Sequence, residues 1–156
     1  MLRRAKVKDA KAIFQILQEY AIKGVLLPRS LNSIYENIRD FFVYEDNGKI
    51  VGIGSLHVYW EDLAEIKSLA VVEDFQHKGI GRQIVKKCIE DAKELGVKKI
   101  FALTYVPGFF QKLGFKIADK SDFPQKVWTE CIHCVKFNDC KEVPVSLVIE
   151  EGEDNG

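Results

Sequence analysis

The sequence predicts an α/β (α+β) domain: a mixed, mostly antiparallel central sheet of about seven strands flanked by about four helices. Three observations carry this. Stretches of helical and of strand periodicity are interleaved along the chain. Asn47-Gly48, between the two β-rich runs of "FFVYEDNGKIVGIGSLHVYW", is a hairpin signal, because a two-residue type I′ turn needs φ > 0 twice. An amphipathic helix pattern separates two strand patterns, "AEIKSLAVV" (Ala64 to Val72) and "KKIFALTYV" (Lys98 to Val106), so these run parallel in an otherwise antiparallel order.

Each element has its own signal. "LRRAKV" (Leu2 to Val7) opens as a strand. Asp9 stands at an N-cap position, and Ala12, Ile13, Ile16, Leu17, Tyr20 and Ala21 recur at helical spacing until Gly24. After "VLLPR", Ser30 caps a second helix whose Ile34, Tyr35, Ile38 and Phe41 share one face, with Ser33 and Glu36 as an additional capping pair. The hairpin supplies strands two and three, the chain turns around Trp60 to Leu63, and Ala64 to Val72 is strand four. From Arg82, the residues Ile84, Val85, Cys88, Ile89, Ala92 and Leu95 form the stripe of a third helix ended by Gly96 at C′. Strand five follows, then "PGFFQKLG", a short fourth helix opened by Pro107. "FKIAD" reads as strand six and "VPVSLVIE" (Val143 to Glu150) as strand seven. Residues 1–150 therefore read as a single domain and the acidic tail 151–156 as disordered.

Charge and composition exclude several classes of function. The 23 basic and 23 acidic residues cancel, so neither nucleic acid nor an anionic membrane is indicated as partner. No apolar run reaches the roughly 18 residues of a spanning helix. Asp9 and Lys11 interrupt the segment after Arg3 and Arg4, so no secretory leader is read and a cytoplasmic location is expected. The four cysteines are then read as reduced thiols. Cys131, His133, Cys134 and Cys140 lie within ten residues, whereas structural zinc sites draw their second ligand pair from a distant segment, so no metal is expected.

The stretch "SLAVVEDFQHKGIGRQIVKK" places Gly79 and Gly81 where strand four gives way to helix three. A helix start offers unpaired N–H groups and a partial positive charge, and glycines let a backbone lie close against an anion. Lys78 and Arg82 add formal charge. Neither a P-loop nor a dinucleotide fingerprint is present, and Gly52 and Gly54 sit in a strand pattern without a third glycine.

Gln76-x-x-Gly79-x-Gly81, after an "SLAV" strand and before an amphipathic helix, resembles the acetyl-CoA loop of the GNAT superfamily of N-acetyltransferases, and the element order resembles that fold from end to end. "GVLLPRSL", "AEIKSLAV", "ALTYVPGFFQKLGF" and "KVWTEC" are further similar to the stand-alone acetyltransferase form of the N-acetylglutamate synthase group, without the kinase-like domain of its larger members. The resemblance implies a GNAT fold with strands four and five splayed apart, and acetyl-CoA as acetyl donor. It implies that backbone N–H groups of Gln76, His77, Lys78, Gly79, Ile80 and Gly81 hold the pyrophosphate with Arg82 beside it. The edge at Leu69, Ala70 and Val71 would pair with the pantetheine arm, which Phe109, Phe110 and Lys112 would line, the two Phe being alternatively plain core. The acceptor implied is the α-amine of an amino acid, L-glutamate foremost; other amine acceptors, or a CoA-binding sensor without turnover, stay open. Homodimerisation is likewise left open.

An ammonium must lose a proton before it attacks a thioester, so a base is required. Glu65 on strand four is the candidate, and period two puts Glu65, Lys67, Leu69 and Val71 on one face. His57 on strand three is its rival. The resemblance implies that the Leu69 N–H stabilises the oxyanion. The position at which many relatives carry a tyrosine as acid is Phe110, leaving Tyr105, Ser68 or water to protonate the thiolate. A dicarboxylate acceptor calls for cations and N–H donors, with Arg29 and the backbone of Leu27 first, then Lys67 and Lys126.

Overall fold

The computed structural model of the chain describes residues 1–24, 26, 28–122 and 142–149. Within them the elements run β1 (Leu2–Arg4), α1 (Ala10–Ile22), α2 (Leu31–Glu36), β2 (Phe41–Asp46), β3 (Lys49–Trp60), β4 (Leu63–Val71), α3 (Ile80–Leu95), β5 (Lys99–Thr104), α4 (Pro107–Gln111), β6 (Lys116–Ile117) and β7 (Val143–Val148). The strands form one sheet in the order β1-β2-β3-β4-β5-β7-β6, and β4 with β5 is its parallel pair. The expected mixed seven-stranded sheet with four helices is what the described residues build.

Each face of the sheet has its own core. Helices α1 and α2 cover one, where Ile13, Leu17, Ile34, Phe41, Val43 and Ile53 are buried together. Helix α3 covers the other, where Phe42, Val51, Ile84, Val85, Cys88 and Ile100 have no exposed surface. Burying one such aliphatic or aromatic side chain contributes about 1.5–3 kcal/mol, so the stripe of α3 anchors it firmly. The approach is close because two strand glycines lie beneath it. A Cβ on Gly52 would stand 2.8 Å from Ile80 Cγ2, and one on Gly54 only 2.5 Å from Ile84 Cγ2. Both glycines therefore serve helix packing.

Several boundaries differ from those expected of the sequence. Asp9 precedes α1 but does not cap it; its carboxylate accepts the Lys6 N–H at 2.7 Å and two bonds from the Arg3 guanidinium, tying the helix start to β1. Helix α2 stops at Glu36, because the Asn37 side chain donates to the Ser33 carbonyl and its backbone leaves helical geometry. Phe41 consequently begins β2 instead of extending the helix. Ser30 caps α2 as expected, accepting the Ser33 N–H at 3.0 Å. Ser33 and Glu36 form no capping pair, since their side chains bond Arg29 and Asn32. Helix α3 starts two residues before Arg82, which places Gly81 inside its first turn. Strand β6 shrinks to an edge strand of two residues beside β7. The tail 151–156, with Glu150 at the expected end of strand seven, lies outside the described residues.

Candidate active site

The sheet splits at Glu65. Strand β5 is in register with β4 only at Leu63↔Lys99, Ala64↔Ile100 and Glu65↔Phe101; past that point β5 runs with β7 as far as Thr104. From Ile66 to Val71 the β5-side edge of β4 has no strand partner among the described residues. Glu65 thus stands at the vertex of a V-shaped opening, 7% exposed, beside the fully buried Phe101. One strand over, His57 is in register with Glu65. The His57 Nδ1 lies 2.8 Å from an Asp40 carboxylate oxygen, and its ring meets Tyr59 edge-on.

A β-bulge comes immediately after. Ser55 pairs with Lys67 and Ile53 with Ala70, so Ser68 and Leu69 together face Gly54, and Ser68 takes φ +55°. The buried Ser55 hydroxyl supports it by donating to the Lys67 carbonyl at 3.0 Å. The bulge corrects the expected alternation. Ala64, Ile66, Leu69 and Val71 pack toward α3, whereas Ala70 packs toward α1, and Glu65 and Lys67 share that second side. Glu65 and Lys67 therefore do not share a face with Leu69 and Val71. The apolar spacing 64, 66, 69, 71 already carries this phase shift.

Arg29 reaches the bulge from the segment before α2. Its guanidinium donates to Ser68 Oγ at 3.2 Å and to Ser33 Oγ at 3.3 Å and lies over the Phe41 ring, 5.0 Å from its centroid. Lys67 Nζ is 3.5 Å from the Tyr59 hydroxyl and lies over that ring. A carboxylate at the vertex and two cations thus lie on the same side of the sheet. Leu27 and Lys126 lie outside the described residues, as do Cys131, His133, Cys134 and Cys140.

The glycine loop joins β4 to α3 through a short helical turn, Glu73–Phe75. His77 holds φ +64° and Gly79, at the N-cap of α3, φ +82°. Left-handed backbone at both positions turns the loop around the helix start, whose first N–H groups have no partner within the helix. A Cβ at Gly79 would meet nothing within 4 Å, so its φ is what requires glycine. At Gly81 a Cβ would touch only the Phe109 ring, at 3.5 Å, and the Val71 side chain, at 3.9 Å, both ordinary contacts. Neither contact requires glycine at this position. Lys78 lies over the Phe75 ring, Arg82 is exposed, and the Ile80 side chain is in the core, so Ile80 offers its backbone only.

On α4, the alternatives for the two phenylalanines divide. Phe110 is 3% exposed and packs edge-on against Phe109 and Phe115, which makes it a core ring. Phe109 is half-buried against the loop, and Lys112 is exposed at the helix end. Tyr105, just past β5, is 41% exposed, and the buried Thr104 hydroxyl accepts the Val106 N–H at 2.9 Å. Gln76 has a second use that its place in the glycine loop does not signal: its side chain bonds the Val71 carbonyl and the Tyr20 hydroxyl at the open edge of β4. No helix among the described residues is long and apolar enough to cross a membrane.

A strand parting from its parallel neighbour beside a glycine loop at a helix N-terminus defines a class, and comparison with known proteins identifies it. Residues 10–115 match the acetyltransferase (GNAT) family, and the chain belongs to that family. It is an acyltransferase that uses acetyl-CoA as its donor. It is 44% identical, over 91% of its length and 92% of the other, to the uncharacterized N-acetyltransferase CT2212 of Chlorobaculum tepidum. It is 37% identical, over 83% of its length and 76% of the other, to the amino-acid acetyltransferase of Mycobacterium tuberculosis. Among solved structures it is similar to Rv2747 of Mycobacterium tuberculosis in complex with CoA, with TM-score 0.82, 32% identity, and coverage of 96% of this chain and 99% of that one.

Proposed function

We propose that this chain acetylates the α-amine of an amino acid, L-glutamate foremost, as the synthase of N-acetylglutamate in arginine biosynthesis. The observation that carries the reading is the position of Glu65: a buried carboxylate where β4 and β5 part, with Arg29 hydrogen-bonded to Ser68 three residues along the same strand. Similarity to the amino-acid acetyltransferase of Mycobacterium tuberculosis supports the acceptor class.

In this reading the diphosphate of acetyl-CoA rests on the N–H groups of the loop from Gln76 to Gly81, with Arg82 and Lys78 supplying charge. The pantetheine arm adds to the open edge of β4 at Leu69 to Val71 as an extra strand would, which aims the thioester at the vertex. Glu65 accepts a proton from the acceptor ammonium, directly or through water, and the freed amine attacks the thioester carbonyl. The Leu69 N–H, within the bulge, stabilises the tetrahedral oxyanion. The C–S bond then breaks, and the proton that the new amide nitrogen loses passes to the thiolate through water, Ser68 or Tyr105. Arg29 binds the acceptor's α-carboxylate as a two-pronged donor and Lys67 its side-chain carboxylate, with Lys126 and the Leu27 backbone as further contacts.

The experiment is a thiol-release assay with glutamate, aspartate, lysine and ornithine as acceptors, run on the wild type and Arg29→Ala. Glutamate should be preferred, and Arg29→Ala should raise its KM at least tenfold with a smaller change in the KM for acetyl-CoA. A preference for lysine or ornithine would discard the glutamate reading while leaving the acetyl-CoA site intact.

A further inference from the structure

The open edge of β4 is held by a side chain that has no role in the chemistry proposed for the site. The Val72 N–H bonds the Val51 carbonyl of β3 at 2.9 Å, so by the alternation of an antiparallel ladder the Val71 N–H and carbonyl point the other way, to the β5 side. There the Val71 carbonyl accepts the hydroxyl of Tyr20, from the last turns of α1, and the carboxamide of Gln76 at 3.0 Å. The same carboxamide donates to the Tyr20 oxygen at 2.7 Å, closing a three-membered node. Gln76 opens the glycine loop, and Val71 ends the strand edge. The node therefore sits where the diphosphate and arm portions of the donor would meet.

We infer that Tyr20 is a positioning residue for the acetyl donor, holding the Val71–Val72 peptide and the Gln76 side chain so that the β4 edge presents its amide groups at fixed spacing. The inference rests on the reading that the pantetheine arm lies along β4; it does not depend on which amine is acetylated. The peptide after Val71 ends a strand with no β5 partner, and two side-chain donors on its carbonyl replace the constraint that a neighbouring strand would supply. A preorganised edge binds an extended arm without first having to be ordered. Tyr20 reaches the edge because its ring packs with the α1-side core, which fixes where the hydroxyl stands.

The test is calorimetric titration of the full chain with CoA and, separately, with ADP, which carries the diphosphate but no arm. Tyr20→Phe keeps the ring and removes the hydroxyl. It should weaken CoA binding about five- to tenfold, the worth of one hydrogen bond, and leave ADP binding within about twofold. The KM for acetyl-CoA should rise in step, with kcat and the acceptor KM nearly unchanged. Gln76→Met, which cannot donate, should also weaken CoA binding, and the double variant should lose less than the sum of the two. Unchanged or tighter CoA binding in Tyr20→Phe, or equal losses for CoA and ADP, would overturn the inference. Wild-type protein that binds CoA no better than ADP would remove the arm's placement along β4, and the inference with it.

Discussion

Replacing Gly54 by alanine puts a single methyl group between β3 and α3. The new Cβ would lie 2.5 Å from Ile84 Cγ2 and 3.2 Å from Leu69 Cδ1, about 0.9 Å and 0.2 Å short of the 3.4 Å at which ordinary contact begins. Ile84 is fully buried and has no room to rotate, so the helix itself must lift from the sheet. Overpacking of this kind costs about 1–3 kcal/mol, which for a chain of this size lowers the melting temperature by about 2–12 °C. The lift also has a functional consequence, because Ile84 lies one turn beyond the N–H groups assigned to the diphosphate. The KM for acetyl-CoA should therefore rise about tenfold, while kcat, set at the vertex, changes less. Gly79→Ala provides the contrast: its Cβ meets nothing, and its cost of about 1–2 kcal/mol comes from holding φ +82°. Scanning calorimetry and thiol release read both variants. If Gly54→Ala melts within a degree of wild type and keeps its KM, the packing argument and the coupling of helix position to donor binding are both refuted.

Other variants probe other parts of the account. Glu65→Gln keeps the shape of the vertex and removes its base, so kcat should fall about 10²–10⁴-fold with the KM for acetyl-CoA little altered; turnover within threefold of wild type would take the proton-acceptor role from Glu65. Asp9 is held below the usual carboxylate range, first by its hydrogen bond from Arg3, and so contributes stability above its unfolded pKa that is lost as pH falls through its folded value. Asp9→Asn should accordingly cost about 1–3 kcal/mol in urea denaturation at pH 7, with the gap to wild type closing below about pH 4. Burial pushes the Cys88 thiol up to about 12, so iodoacetamide at pH 8 should leave it unmodified in the native protein and alkylate it in urea, as read by peptide mass mapping.

What could be read from sequence was what depends on near neighbours. Asn47-Gly48 signalled its hairpin because the turn needs two left-handed residues, and they take φ 49° and 78°. The stripe of α3 and the αL glycine that ends it are likewise local, as is the N-cap at Ser30. The glycine loop was legible because a strand, a loop and a helix start adjoin in the chain. The Ser68 bulge was not, although its trace lay in the spacing of Ile66 and Leu69, because a bulge exists only against a partner strand and Gly54 is fourteen positions back. The same holds for Gly52 and Gly54, whose reason is a helix packed across the sheet. Phe110 belongs to an aromatic cluster closed by Phe115, which the adjacent Phe109-Phe110 pair does not signal by itself. Tyr20 fitted the apolar stripe of α1, and nothing near it in the chain distinguishes its hydroxyl from that of any half-buried tyrosine.

The central claim is that a donor gripped by the loop is aimed at Glu65, and a crystal structure of the chain with CoA tests it most directly. The account predicts diphosphate oxygens within hydrogen-bonding distance of backbone N–H groups between Gln76 and Arg82, the pantetheine amides paired with β4 at Leu69 to Val71, and the sulfur in the opening between β4 and β5. A diphosphate bound away from that loop, or an arm that leaves the gap at Glu65 unfilled, would contradict it.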